Sequence, residues 1–337
     1  MAMTGPRVPL TLAHPDVLRA AVEAAVLAPS SYNTQPWRFR IAGSVLELFA
    51  DRQRHLQVID AERRGQIQSC GCALYNARVA VRAMGYLDDV TAMLTDSGHP
   101  DLLATLHLGE PHIATEHDLA LFAAVRKRHT NRRAFLPRPI AGLLSDSFIE
   151  AAADEGATMV RLHPDQKRAL AHLIDEADRL QYGDPAFRAE LANWLAPTGS
   201  RRRDGIPFVE KEYGSSLPFT VTRALRSPTL GDELGKLEEE LVQGAPVVLV
   251  LGTRTDDPTE WLACGQALEA VLLLATTHGM SAAFLNQVLE IPEQRGRVAE
   301  LLPEVGYPHM VLRIGYPVHE IQHAAPRRSI EDVLETP

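Results

Sequence analysis

Residues 28–37 read Ala-Pro-Ser-Ser-Tyr-Asn-Thr-Gln-Pro-Trp, and this polar loop is the most informative stretch of the chain. Two hydroxyls, a carboxamide and free backbone N–H groups within a few residues can donate and accept hydrogen bonds toward the edge of a heteroaromatic ring. Loops between regular elements are where proteins commonly place such groups for binding. Proline, serine and asparagine are also ordinary turn residues, so composition alone leaves a plain turn as the alternative.

Regular elements are predicted on both sides of the polar loop. Apolar residues at helical spacing predict a helix from about residue 15 to 27, and alternation predicts a strand over 37–41 with a hairpin partner over 45–50. After Pro111 the pattern begins again. The remaining predicted helices span about 66–84, 119–128, 140–154, 165–180 and 258–278, and the remaining strands about 103–108, 159–162, 244–252 and 308–315.

An internal repeat links two of the predicted helices. The pattern C-G-x-A-L occurs at residues 70–74 and again at 264–268. Each helix then ends at a glycine fourteen residues beyond the first, Gly85 or Gly279. Chance is one explanation, because glycine, alanine and leucine are common in buried helices. Duplication is the other, and it predicts two similar helices that pack closely in one core.

Two arginine-rich segments can hold an anion. The basic turn, residues 128–132, reads Arg-His-Thr-Asn-Arg after a predicted helix, and Pro326-Arg327-Arg328 lies near the C-terminus. A guanidinium group binds two oxygens at once, which suits a phosphate. A solvated basic turn is the alternative for each segment taken alone. Residues 280–287 carry little charge, and their backbone could lie along a flat ring.

Composition excludes several classes of function. A net charge of −9 makes nucleic acid a poor partner. Three cysteines provide no disulfide framework, and no cluster with metal-ligand spacing is present in the sequence. Neither a Walker loop nor a G-x-G-x-x-G string after a strand is found. The N-terminus lacks a signal-peptide pattern and the apolar stretches are short, so a cytoplasmic protein without membrane association is expected.

Taken together, these segments resemble the nitroreductase superfamily of FMN proteins. Its signatures are P-S-S-x-N-x-Q-P-W at residues 29–37, R-[RH]-[ST]-x-[RK] at 128–132, and a final strand with an arginine-rich segment at 315–334. The chain length and the internal repeat resemble the Acg-type branch, in which two nitroreductase-like units are fused. The resemblance implies an α+β nitroreductase fold of pseudo-dimeric form. Its first repeat would span 1–115 and its second 116–337, with a lid near 197–232.

The order of the motifs implies a single composite site. Ordinary family members are homodimers, and each FMN site combines the P-S-S-x-N loop of one subunit with the arginine turn and C-terminal arginine of the other. Here residues 151–162 lack a second P-S-S loop and residues 1–14 lack a second arginine turn. We therefore expect a monomer with one FMN between its repeats. The resemblance assigns to FMN the residues Pro29, Ser30, Ser31, Asn33, Arg128, His129, Thr130, Arg132, Asn286, Gln287, Arg327 and Arg328.

The resemblance also implies an activity. An oxidoreductase of this kind passes hydride from NAD(P)H through FMN to a nitro compound, a quinone or a similar small aromatic acceptor. The flavin carries the chemistry, so no catalytic side chain is expected. The Acg-type branch implies an alternative, an FMN-sequestering or storage protein with a covered flavin and little or no turnover. In that case residues 197–232 would supply the cover.

Overall fold

The computed structural model describes residues 14–93, 99–196, 200–207, 240–318 and 325–335. Its principal helices are α1 (His14–Ala25), α2 (Arg64–Ala83), α3 (Glu116–Val125), α4 (Gly142–Asp154), α5 (Pro164–Gly183), α6 (Pro185–Trp194), α7 (Pro258–Thr277), α8 (Gln287–Glu290) and α9 (Pro292–Leu301). Its strands are β1 (Trp37–Ala42), β2 (Val45–Ala50), β3 (Tyr86–Ala92), β4 (Leu102–Pro111), β5 (Thr158–Arg161), β6 (Leu195–Ala196), β7 (Ile206–Pro207), β8 (Val247–Thr253), β9 (Ser281–Phe284), β10 (Tyr307–Gly315) and β11 (Leu334–Glu335). The α+β class expected from the sequence is confirmed.

The two main sheets have matching strand orders. One sheet runs β11-β1-β2-β4-β3 and the other β5-β8-β10-β9. Without β11, each sheet is antiparallel, and each is interrupted after its second strand by a 20-residue helix, α2 or α7. The second sheet differs in that α5, α6 and further residues separate β5 from β8. This common topology supports the predicted duplication, while the repeat boundary near residue 115 stays a prediction.

The two repeat helices cross at their glycines. A Cβ on Gly71 would collide with the carbonyl oxygen of Leu262, and a Cβ on Gly265 would collide with that of Gln68. Leu262 and Gln68 each lie three residues before the glycine of their own helix. The contact is therefore reciprocal, as a local twofold axis through the crossing requires. Small residues permit this close approach, and both helices are buried along most of their length.

Capping interactions set where the repeat helices begin. The Asp60 carboxylate accepts hydrogen bonds from the backbone N–H groups of Gly65 and Gln66 at 2.8 Å each, at the start of α2. Asp257 caps α7 in the same way, through the N–H groups at its first turn. Such carboxylates satisfy backbone donors that have no partner within the helix. The starts of α2 and α7 are thereby fixed against the loops that precede them.

The connections into the two sheets differ in length. In the first half, the polar loop joins α1 to β1. In the second half, the short stretch from Glu155 to Ala157 joins α4 to β5. Only the first junction therefore carries enough backbone to form a binding loop. The C-terminal strand β11 pairs in parallel with β1, with Phe39 opposite Leu334, so the end of the chain lies beside the first sheet.

Part of the segment expected to form a lid is described. Residues 200–207 lie against the polar loop, whereas 197–199 and 208–232 lie outside the described residues.

Among the helices within the described ranges, none combines the length and the hydropathy needed to cross a lipid bilayer.

Candidate functional site

The polar loop has an unusual backbone conformation. Tyr32, Asn33 and Gln35 have positive φ angles of 50°, 55° and 52°. Non-glycine residues seldom adopt this left-handed region, and clusters of them are typical of ligand-binding loops. The Ser30 hydroxyl holds the loop closed by accepting a hydrogen bond from the Gln35 N–H at 2.9 Å. Pro29 and Ser31 are partly buried beside it. Local hydrogen bonding thus maintains a backbone that the sequence alone would not favour.

Asn33 connects the polar loop to two distant segments, residues 200–207 and the arginine segment at 326–328. Its amide nitrogen donates to the carbonyl oxygens of Gly205 at 3.0 Å and Pro326 at 3.1 Å. Its carbonyl oxygen accepts a hydrogen bond from Arg327 at 3.1 Å. The loop from the first half and the arginine segment from the end of the chain therefore meet, as the sequence predicts.

Arg128 and Arg327, the arginine pair, lie beside each other at the end of α1. Their Nη2 atoms donate to the same carbonyl oxygen, that of Leu27, at 3.2 and 3.3 Å, so these nitrogens are at most 6.5 Å apart. The Nε atoms of both residues are buried, and neither has a hydrogen-bond partner within the described ranges. Two adjacent guanidiniums with open donors form a site for an anion with several oxygens.

Glu269 lies next to the arginine pair and was not predicted from the sequence. This α7 residue is fully buried, and its Oε1 atom is 3.5 Å from the Nε of Arg128. Burial raises the pKa of Glu269 to about 7, although both arginines oppose the shift. Burial and the charge of Arg128 lower the pKa of Arg327 to about 9, so its guanidinium stays charged at neutral pH. The signal in the sequence is an acidic residue in the apolar middle of a helix, between Leu268 and Ala270.

The rest of the basic turn is placed by β9 and β10. Thr130 forms a bridge with Ala282 of β9. His129 is partly buried, and burial lowers its pKa, with the charges of the arginine pair acting in the same direction. The Arg132 side chain is exposed, while its carbonyl oxygen accepts a hydrogen bond from Arg313 at 2.8 Å. The structure thus brings His129 close to the arginine pair and directs Arg132 toward solvent.

Arg328 supports the polar loop and does not join the arginine pair. Its backbone N–H donates to Oε1 of Gln35 at 2.7 Å, and its Nη1 donates to the Gln35 carbonyl oxygen at 3.2 Å. Asp51 lies 3.9 Å from the same guanidinium. With these contacts, the phosphate role predicted for Arg328 stays a prediction, and the geometry favours Arg327 for that role.

A small cleft of about 30 Å³ lies beside the polar loop at Ser31. Its walls include Ser31 and Gln68 from the first half, and Asn286, Glu290 and Met310 from the second. Asn286 is held by the Val311 N–H, which donates to its Oδ1 at 2.9 Å. Gln287 points elsewhere, toward Asp178 of α5 at 3.4 Å. The predicted residues Ser31 and Asn286 therefore share one cleft, and Gln287 is held outside it by its side-chain contact.

These features define a class of protein. It is an α+β protein with two sheets of the same strand order, whose polar loop from one half faces a buried arginine pair from the other. The site is suited to a ligand with an anionic end and a polar, planar end.

Comparison with known proteins identifies the family. No family model matches the sequence. A Mycobacterium tuberculosis H37Rv protein named "Putative NAD(P)H nitroreductase Rv3131" is 33% identical over 330 residues, which cover 96% of this chain and 92% of the relative. "Putative NAD(P)H nitroreductase acg" of the same strain is 29% identical over 338 residues, 97% of each chain. The chain belongs to the nitroreductase family of oxidoreductases, in its Acg-type branch.

Solved structures of nitroreductases are also similar to this chain. The FMN-dependent nitroreductase NfnB from Mycobacterium smegmatis, solved in complex with NADPH, is 16% identical, with 66% of this chain and all of that chain covered, at a TM-score of 0.43. The FMN and NADPH-dependent nitroreductase NfnB from Sphigopyxis sp. strain HMH is 20% identical, with 64% and 98% covered, at a TM-score of 0.39. The family assignment rests on the sequence relatives.

Proposed function

We propose that the chain binds one FMN between its two halves and uses it as an NAD(P)H-dependent oxidoreductase. The observation that carries the proposal is the arginine pair with its two open, buried Nε donors beside the polar loop. Buried donors without partners are rare in folded proteins, so a ligand that completes them is expected. The fully described junction between α4 and β5 has no equivalent of the polar loop, which limits the proposal to one site.

The donor set fits the two ends of FMN. A phosphate has several oxygens and negative charge, and it would be held by Arg128 and Arg327. The ring system would be held by the hydroxyl and amide groups of the polar loop, with Ser31 and Asn286 bordering the cleft beyond it. The polar loop contacts both features, because Asn33 accepts a hydrogen bond from Arg327 and Ser31 lines the cleft, so one elongated ligand can contact both. The site would be completed by the sequence neighbours of Ser31 and Arg128, which are Pro29, Ser30, His129 and Thr130.

The residues of the site would orient the cofactor and neutralise its charge. When bound, FMN supplies two-electron transfer from NAD(P)H to an acceptor such as a nitro compound or a quinone. The relatives named as NAD(P)H nitroreductases support this reaction class. The protein contributes cationic side chains at the phosphate and hydrogen-bond donors at the ring, and these favour a reduced, anionic ring.

The test of the proposal is a turnover assay on the purified, flavin-loaded protein. NADH or NADPH is mixed with a nitroaromatic acceptor, and absorbance at the nicotinamide band is followed. Steady oxidation that requires the acceptor is the expected result. Arg327→Ala should lose both flavin and turnover, whereas Arg126→Ala, an exposed arginine beside the basic turn, should keep both.

One observation favours a second function, FMN sequestration. The described residues 200–207 already cover part of the polar loop, because Gln35 donates to the carbonyl oxygen of Arg203 at 2.7 Å and Gly205 donates to that of Asn33 at 3.2 Å. A covered loop leaves less room for a nicotinamide ring beside the flavin. A protein that binds FMN tightly and is reduced by dithionite but not by NAD(P)H would support sequestration over the enzyme.

We also propose that the chain acts as a monomer. The reciprocal contact between Gly71 and Gly265 places two similar helices against each other within one polypeptide. In a homodimer, such a contact would lie between subunits. The internal contact makes a second chain unnecessary for the site.

A further inference from the structure

Glu269 is an ionisable residue in an apolar position. It lies on α7 between Leu268 and Ala270, and none of its surface is exposed. A buried carboxylate is costly unless it is paired and hydrogen-bonded. Arg128 provides the charge at 3.5 Å, but neither Glu269 oxygen accepts a hydrogen bond of good geometry from a described residue. Asn76 of α2 lies beside it: the Asn76 amide nitrogen donates one hydrogen to the carbonyl oxygen of Ala24, and hydrogen bonding from the same side chain acts with the arginines to lower the pKa of Glu269.

The three charged groups do not saturate one another. The Nε atoms of both arginines and both oxygens of Glu269 lack a hydrogen-bond partner within the described residues, and the contact of 3.5 Å between Arg128 Nε and Glu269 Oε1 is an ion pair only. A purely structural buried ion pair normally satisfies these atoms, since each unsatisfied group costs about 1–3 kcal/mol. The cluster has a net charge of +1 when Glu269 is ionised and +2 when it is protonated. The charge of the cluster therefore depends on one proton. The arginine Nε atoms without a hydrogen-bond partner are donors for an anion.

We propose that Glu269 is the built-in counter-ion of the arginine pair and binds one proton when a phosphate group occupies that pair. This inference rests on the proposed FMN site. A phosphate monoester carries close to two negative charges above pH 7. Two guanidiniums, one dianion and a neutral Glu269 sum to zero charge, whereas an ionised Glu269 would leave an excess negative charge in a buried site. The proton comes from solvent and moves to a Glu269 oxygen, and no covalent bond changes.

The sign of the pH dependence follows from the surroundings of Glu269. Burial already raises its pKa to about 7, and a dianion beside it would raise the pKa further. The complex therefore holds more protons than the free protein above pH 7, so affinity for FMN falls as pH rises through this range. The other groups that face Glu269 do not titrate there. Among the described residues these are Arg327, whose guanidinium stays charged in this range, and Cys72 and Tyr75 of α2, whose pKa values are raised by burial.

Among the described residues beside the arginine pair, His129 is the group whose titration would imitate this effect. Its pKa is lowered by burial and by the arginine pair, and a bound anion would raise it again. A variant at each position separates the two sources. Glu269→Gln keeps the shape of the side chain and removes its titration, and His129→Gln does the same for the imidazole.

The experiment is calorimetric titration of the flavin-free protein with FMN between pH 7 and 8, in buffers of different protonation enthalpy. Wild-type protein should take up about half a proton per FMN at pH 7 and close to one at pH 8, and its Kd should rise by up to about tenfold per pH unit. Both effects should vanish in Glu269→Gln and persist in His129→Gln. Glu155→Gln is the matched control, a carboxylate paired with Arg78 away from the site, and it should behave as wild type.

Three outcomes are decisive. Proton uptake that is lost in Glu269→Gln and kept in His129→Gln supports the proposal. Wild-type binding without proton uptake, or uptake that survives in Glu269→Gln, overturns it, and the wild-type measurement needs no folded variant. An absence of FMN binding at every pH instead contradicts the proposed function on which this inference rests.

Discussion

Asn33 and Arg327 are 294 positions apart in the chain, and a hydrogen bond of 3.1 Å joins the Arg327 guanidinium to the Asn33 amide oxygen. Asn33 belongs to the loop that precedes β1, and Arg327 precedes β11, which pairs with β1. This contact closes the chain on itself at the proposed cofactor site. Asn33 has a positive φ, which asparagine tolerates better than most residues. Its side chain is in direct contact with a buried cation.

Removing Arg327 should weaken FMN binding without unfolding the protein. A charge-assisted hydrogen bond contributes about 1.5–3 kcal/mol, so Arg327→Ala should raise the Kd for FMN by roughly ten- to a hundredfold. Quenching of flavin fluorescence measures the change, with Arg126→Ala as the control of equal charge loss. Equal Kd values for the two variants would show that the phosphate is held elsewhere.

The crossing of α2 and α7 should not accept a side chain at either glycine. Gly71→Ala places a methyl group against the backbone of Leu262, and backbone cannot move aside cheaply. Overpacking of this kind costs about 1–3 kcal/mol, seen as a lower urea midpoint. Gly296 is the matched control, because it lies inside α9 with open space around it, and alanine there should gain about 0.5–1 kcal/mol. Equal midpoints for Gly71→Ala and Gly296→Ala would contradict the close approach.

The three cysteines should be unreactive in the native protein. Cys70, Cys72 and Cys264 are buried and unpaired by disulfides, and burial raises the pKa of each thiol. Since the thiolate is the reactive form, an aromatic disulfide reagent should label none of them at pH 8 until denaturant is added. All three should then react. Rapid labelling of even one thiol in the folded protein would show that the helix crossing opens.

Acid should destabilise the protein through His309. The His309 Nε2 lies 2.6 Å from Thr253 Oγ1, and Arg295 donates to its Nδ1 at 3.3 Å, so the neutral ring is required. Burial and the charge of Arg295 lower the pKa of His309 to about 3. The unfolded chain binds this proton near pH 6.5, so stability is lost as pH falls from 6.5 toward 3, by up to about 1.4 kcal/mol per unit.

The measurement for His309 compares urea unfolding of wild type and His309→Gln at several pH values between 7 and 4. The variant starts from a lower stability, but its stability should depend less steeply on pH. Parallel pH profiles for the two proteins would mean that His309 does not titrate in this way.

Local patterns predicted most of the fold. The helix spacing before the polar loop and the alternation after it placed α1, β1 and β2 to within about two residues. The C-G-x-A-L repeat predicted that two helices pack together, and the glycines do meet. These predictions were correct because helical and strand periodicity, and the small residues that allow close packing, are visible in neighbouring residues of the sequence.

Other features depend on contacts between distant residues. Strand β11 contains two residues and is held by pairing with β1, so no local pattern reveals it. Residues 281–284 form β9, although their sequence suggested only a backbone segment with little charge. Arg327 and Arg328 are adjacent in the sequence, so the sequence gave no reason to assign them different roles. In the structure, Arg328 forms hydrogen bonds with Gln35, and this contact separates its role from that of Arg327. Glu269 was passed over because it is a single acidic residue whose partners come from other elements.

The central claim, one FMN held between two halves of one chain, is tested most directly by native mass spectrometry of the protein after incubation with excess FMN. This measurement counts protein chains and flavins in the same particle. We expect one 37.0 kDa chain carrying one FMN, and a smaller flavin-bound fraction for Arg327→Ala at the same FMN concentration. A particle that carries no flavin, or two flavins per chain, would contradict it.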